Sequence, residues 1–234
     1  MIRILRYFPR LLADYLARRG AAMLLVGVVL MLPVMVAARK AAGGEEFDPT
    51  VLLSQGLRNT AQLLILVASY GLIGHDFRTG FYRFVFVKPL SPVGYYAATF
   101  VAALLGFQLV LLTLTGIYSV AVRPAWPGTL FLDAAVYFAF IGSLIFAFSR
   151  FTRLDWVLGM FLLLLGDLAR HAYPKDESFL GAVMNVILPP DPPASFFDAA
   201  GVAWGELSWV LGYAAIAFAI GLMTVRVVPM GAAR

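Results

Sequence analysis

Between Lys88 and Arg123 the chain carries no charged residue. A helix needs about 20 mostly apolar residues to cross a bilayer, so this stretch alone is long enough for one crossing. The rest of the sequence has the same character. Of 234 residues, 62% are hydrophobic and 13% charged, with mean hydropathy +0.86. Soluble domains run nearer half apolar and a quarter charged, so the composition is that of an integral membrane protein. The length leaves room for several crossings with short connections and little for a soluble domain.

Reading the apolar runs in order predicts an all-α integral membrane fold with six transmembrane helices. They are expected at residues 20–38, 51–74, 93–122, 129–149, 156–172 and 207–225. Residues 1–19 have arginines throughout and no small-residue cleavage site, unlike a signal peptide. Wound as a helix, Ile4, Leu5, Phe8, Leu11, Leu12, Tyr15 and Leu16 share one side, and Arg3, Arg6, Arg10 and Asp14 the other. This predicts an amphipathic interfacial helix bent at Pro9, ahead of a transmembrane domain over 20–234. Before the sixth span, FLGAVMNVIL at 179–188 is apolar but too short to cross, and it ends in PPDPP. Such a segment reads as re-entrant or interfacial, and residues 179–193 are expected to form an external re-entrant hairpin.

Charge orients the chain. With six spans and the amino terminus inside, the inner segments hold Arg3, Arg6, Arg10, Arg18, Arg19, Arg78, Arg83, Lys88, Arg150, Arg153, Arg226 and Arg234. These are the larger part of the 18 basic residues, beside only Asp14, Asp76 and Asp155. The positive-inside rule then places both termini in the cytoplasm. The net charge of +5 is spread through the loops, which suits membrane lipid rather than nucleic acid as the partner. There are no cysteines, which excludes disulfides, thiolate metal sites and a cysteine nucleophile. His75 and His171 fall near opposite membrane faces, so no metal site is expected. Neither is a catalytic constellation. His75, beside Asp76, reads as a solvated histidine at a helix end or as a pH sensor.

One inner segment stands out. GLIGHDFRTGFYRFVFVKPLSPVGYY, at 71–96, sets charges and aromatics between two apolar runs. Its central ten residues allow at most about 15 Å of helix. They could form a knob for a cytoplasmic partner, or a plain interfacial turn with its aromatics at headgroup level. Polar residues also enter the spans. Gln55, Arg58, Asn59 and Gln62 follow a helical spacing on the second span. That stripe suits a substrate path, a dimer seam or structural interhelical hydrogen bonding. Arg58, Asp133 and Asp167 all fall toward the outer half, as an ion pair or as a proton relay. Asp167 could also pair with Arg170 along its own helix.

The segment at 75–92 carries a resemblance. Asp76, Gly80, the apolar run to Val87, Pro89, Ser91 and Tyr95 stand where permease subunits of type-2 ABC exporters have their coupling motif. Arg78 and Phe81 replace an acidic residue and a threonine frequent in that family, and Ala97 a frequent basic residue. The six-span layout, the amino-terminal amphipathic helix and the segment before the last span resemble the family too. The resemblance implies an ATP-driven exporter whose permease couples to a separate cytoplasmic ABC ATPase through Asp76, Arg78, Gly80, Phe81, Tyr82, Arg83, Phe84, Lys88, Pro89 and Ser91. It also implies a second permease copy or a sister permease, and a bacterial cytoplasmic (inner) membrane. The permease itself would be no enzyme. The sequence holds no Gly-rich Lys-Ser/Thr phosphate loop, so no cofactor is expected on this chain, and ATP and Mg would bind the partner ATPase. The alternative from the residues alone is an ion-coupled secondary transporter working through Arg58, Asp133 and Asp167.

Overall fold

The computed structural model describes residues 2–41, 60–73, 76, 91–121, 128–149, 151, 154–172, 179, 183, 188, 195–198 and 201–227. The chain is all-α in character. Helix α1 (Ile2–Tyr15) passes through a π-helical turn, Leu16–Gly20, into α2 (Ala21–Ala41). Then come α3 (Thr60–Ser69), α4 (Pro92–Ala121) and α5 (Gly128–Tyr137). A second π-helical turn, Phe138–Gly142, joins α5 to α6 (Ser143–Phe148); α7 (Asp155–Ala172) and α8 (Trp204–Val227) follow. A two-residue antiparallel pairing, Phe197 with Val202 and Asp198 with Gly201, precedes α8.

Among the described residues, four stretches are long and apolar enough to cross a membrane: Tyr7–Ala37, Pro92–Ala121, Gly128–Phe148 and Trp204–Val225. They overlap the runs expected at 20–38, 93–122, 129–149 and 207–225. At the expected second and fifth spans stand the shorter apolar helices Thr60–Ser69 and Asp155–Gly166. Residues 51–59 lie outside the described residues, as does the expected re-entrant segment at 179–193 apart from Phe179, Val183 and Leu188. The π-helical turn keeps the backbone helical from α1 through Gly20 into α2. Pro9 lies inside α1 and Pro33 inside α2.

By its contacts the chain divides into two compact units, Met1–Ala68 with Ala97–Phe138, and Ser69–Tyr96 with Ala139–Arg234. In the first, α1 and the turn after it set Leu11, Leu12, Tyr15 and Leu16 inward while Arg10 and Asp14 stay exposed, the division the periodicity predicts. On α2 the inward stripe is Met23, Gly27 and Met31, and the exposed one Leu25, Val29, Leu32 and Val36. Gly106 of α4 lies against Tyr15 and Leu16, and Leu114 lies against Gly27. Rising numbers therefore meet rising numbers, so α2 and α4 run in the same direction. Helix α5 runs the other way along α4. Gln108 Nε2 donates to the Phe131 carbonyl at 3.0 Å, while Phe138 meets the Phe107 ring at 5.4 Å and the Phe100 ring at 5.5 Å between centroids.

In the second unit α6 is buried on every side from Ser143 to Ala147. A helix apolar all round belongs in a core, and its aromatics lock it there. Phe146 stacks on Phe218 of α8 at 5.3 Å and 27°, and Phe140 meets Tyr213 edge-on at 6.1 Å. Helices α6 and α8 thus share a direction. Gly159 lets α7 approach Ile145, whose Cγ1 would lie 2.9 Å from a Cβ there. The stretch through α5 and α6 is 78% buried, against 24% for the first candidate span and 28% for the last. The first and last therefore keep wide apolar faces of the kind that lipid solvates.

Candidate functional site

The described residues place both ends of the 75–92 segment. At its amino-terminal side, α3 ends at Ser69 and the chain turns through Tyr70–Ile73. Gly71 has φ +60°, the left-handed conformation with which many helices close. A glycine takes it without the Cβ clash that any other residue would meet.

The groups left over at this helix end are met by side chains from far along the sequence. In the first unit the Ala68 carbonyl accepts from Tyr15 Oη at 3.0 Å and from Arg19 Nη1 at 2.8 Å. The Arg19 guanidinium also lies 5.6 Å from the Tyr15 ring centre, within cation–π reach. A cation at a helix carboxyl end complements the helix dipole as well as the carbonyl. In the second unit Asp155 Oδ2 accepts from the Gly71 N–H at 2.8 Å. Ser149 Oγ accepts from the Ile73 N–H at 3.1 Å. Asp155 is fully buried, and its Oδ1 takes the Trp156 N–H at 3.0 Å. A buried carboxylate is costly unless its oxygens are hydrogen-bonded, and here each oxygen meets an N–H.

Two residues expected to couple to a partner are among those described. Asp76 is buried, with Oδ2 3.5 Å from Tyr95 Oη, so the two ends of the segment meet through these side chains. Ser91 is exposed and caps α4. Its Oγ accepts from Gly94 N–H at 3.4 Å and its carbonyl from Tyr95 N–H at 2.9 Å, with Pro92 at the first helical position where proline fits best. Arg78, Gly80, Phe81, Tyr82, Arg83, Phe84, Lys88 and Pro89 lie outside the described residues, as does His75.

Of the polar stripe on the second span, Gln62 is exposed on α3, while Gln55, Arg58 and Asn59 lie outside the described residues. Asp133 is buried on α5. Asp167 lies on α7, its side chain outside what the structure describes. Among the described residues no group of three or more His, Cys, Asp or Glu could hold a metal ion.

Sequence reasoning did not single out Tyr15, Arg19, Gly71, Ser149 or Asp155 as a set. The local signals were present: a glycine just past an apolar run, and an aspartate opening the next helix. Their mutual contacts carry no local signal. Comparison with protein-family models, with curated proteins and with solved structures gave no match.

Proposed function

We propose that this chain is the transmembrane permease subunit of an ATP-driven exporter of ABC type, with the 75–92 segment as the cytoplasmic element that a separate ATPase moves. The observation that carries the reading is the anchorage of that segment. Its root is tied by Gly71 to Asp155 and Ile73 to Ser149, and its ends approach through Asp76 and Tyr95. A connection that transmits a push gains from buried attachment at its root.

The chain then crosses six times, with α3 closing the second crossing and α7 carrying the fifth. The shared directions of α2 with α4 and of α6 with α8 suit this, since each pair is separated by one return. Residues 1–19 lie at the inner interface, 179–193 form the external hairpin, and both termini face the cytoplasm of a bacterial cell. ATP and Mg are held by the partner, and a second copy or a sister permease completes the transporter.

The test is to purify the tagged chain in mild detergent and assay the eluate for ATP hydrolysis, with a variant in which residues 80–91 are replaced by a flexible linker of equal length. An ATPase is expected to accompany the native chain and to be lost with the linker. A chain that elutes alone, while crosslinking shows the assembly intact, would overturn the reading.

The burial of Asp133 in an apolar helix favours a second reading, a secondary transporter driven by ions through Arg58, Asp133 and Asp167. Under it, Asp133→Asn and Asp167→Asn abolish the pH dependence of transport, and an uncoupler stops transport while ATP persists. Under the exporter reading, neither happens.

A further inference from the structure

The corner between α6 and α7 reaches the root of the 75–92 segment at two points. Asp155 Oδ2 takes the Gly71 N–H at 2.8 Å and Ser149 Oγ takes the Ile73 N–H at 3.1 Å. These acceptors stand at opposite ends of the corner, and the donors are main-chain groups two residues apart. A single hydrogen bond is a pivot about which a turn can swing. Two of them, fixing separate peptide units, also remove rotation.

Local chemistry did not require this arrangement. A helix closed by a left-handed glycine ordinarily directs that glycine's N–H to a carbonyl of its own last turn. Here the N–H of Gly71 goes to a carboxylate 84 residues away. That carboxyl group is fully buried, so the hydrogen bond to it is sheltered from water. Asp155 is also the first residue of α7, so whatever moves its carboxylate moves the start of that helix.

We infer that Asp155 and Ser149 form a two-point clasp that makes the root of the 75–92 segment and the α6–α7 corner move as one body, so that displacement of the segment is delivered directly to the start of α7. The source of the displacement rests on the exporter reading; the clasp itself does not.

The absence of cysteine allows labels to be placed at will. Tyr70 beside the root and Phe151 in the corner are both exposed. The full chain carrying Tyr70→Cys and Phe151→Cys, spin-labelled in lipid nanodiscs, is expected to give one narrow distance between the labels. Adding Asp155→Ala and Ser149→Ala, which remove both acceptors, is expected to broaden that distance, each alone less than both together. An unchanged narrow distance in the doubly substituted chain, with helical content and thermal midpoint retained, would overturn the clasp. Asp155→Glu with Ser149→Thr, which restores both acceptors, is expected to recover part of the narrowing.

A second pair, Phe151→Cys with Ile216→Cys on α8, reads transmission. With a co-purified ATPase, ATP and vanadate are expected to shift its distance in the native background. In the clasp variant the shift is expected to vanish while the ATPase still co-purifies. A shift that persists there would overturn the delivery of motion through the clasp. Should no ATPase accompany even the native chain, the exporter reading falls, and the first pair of labels still decides the clasp.

Discussion

Gly106→Val is expected to destabilise the detergent-solubilised chain by about 3 kcal/mol, read as a fall in its thermal or denaturant midpoint. A Cβ at Gly106 would come within 2.5 Å of Tyr15 Cδ1 and 2.6 Å of Cε1. These are ring atoms close to the backbone of a buried residue, so no free end can swing aside. The tyrosine must tilt, and tilting it pulls its hydroxyl from the Ala68 carbonyl, which adds a lost hydrogen bond to the overpacking. Gly116→Val provides the control on the same helix, since nothing lies within 4 Å of a Cβ there. It should leave the midpoint within about 0.5 kcal/mol of the native value. Equal effects at the two glycines would show that helix propensity, not the contact with α1, decides the outcome.

Removing both donors from the Ala68 carbonyl is expected to cost more than the two removals taken separately. Tyr15→Phe keeps the ring against Gly106 and deletes only the hydroxyl, for about 1 kcal/mol. Arg19→Met keeps most of the stem and deletes the charged donor and its contact with the ring, for about 2 kcal/mol. After either change the other side chain still donates, at 2.8 or 3.0 Å. Ala68 is fully buried, so after both changes its carbonyl keeps neither donor and water is excluded from it. The double variant should therefore exceed the sum by about 1 kcal/mol in a double-mutant cycle of unfolding midpoints. Strict additivity would mean that another group takes the carbonyl over.

The apolar helices were legible because length and hydropathy are properties of a segment by itself. The uncharged stretch between Lys88 and Arg123 became α4, and the expected runs at 129–149 and 207–225 fall on α5–α6 and α8. The amphipathic face of α1 could be read for the same reason, through its 3.6-residue period. The way α1 continues into α2 was not legible. Gly20 and the arginines before it read as a boundary, yet a π-helical turn carries the helix through them, with Arg19 held against Ala68 and Tyr15. Pro33 stands inside α2 in the same way. Least legible was the clasp. Asp155 looked like one acidic residue among the inner loops, and Ser149 like the end of a span. Their meaning depends on residues 84 and 76 positions away, a separation that periodicity and propensity do not encode.

The π-helical turn at Phe138–Gly142 has a consequence for how the fourth apolar stretch responds to change. A single extra residue in a helix advances the facing of everything after it by about 100°. Helices α5 and α6 are therefore written in two reading frames. Gln108 is read in the first, Phe218 and Gly159 in the second. A substitution within either frame is a local misprint. Loss of one residue from the turn is a frameshift in space: every side chain of α6 would remain present and correct, and each would face the wrong neighbour.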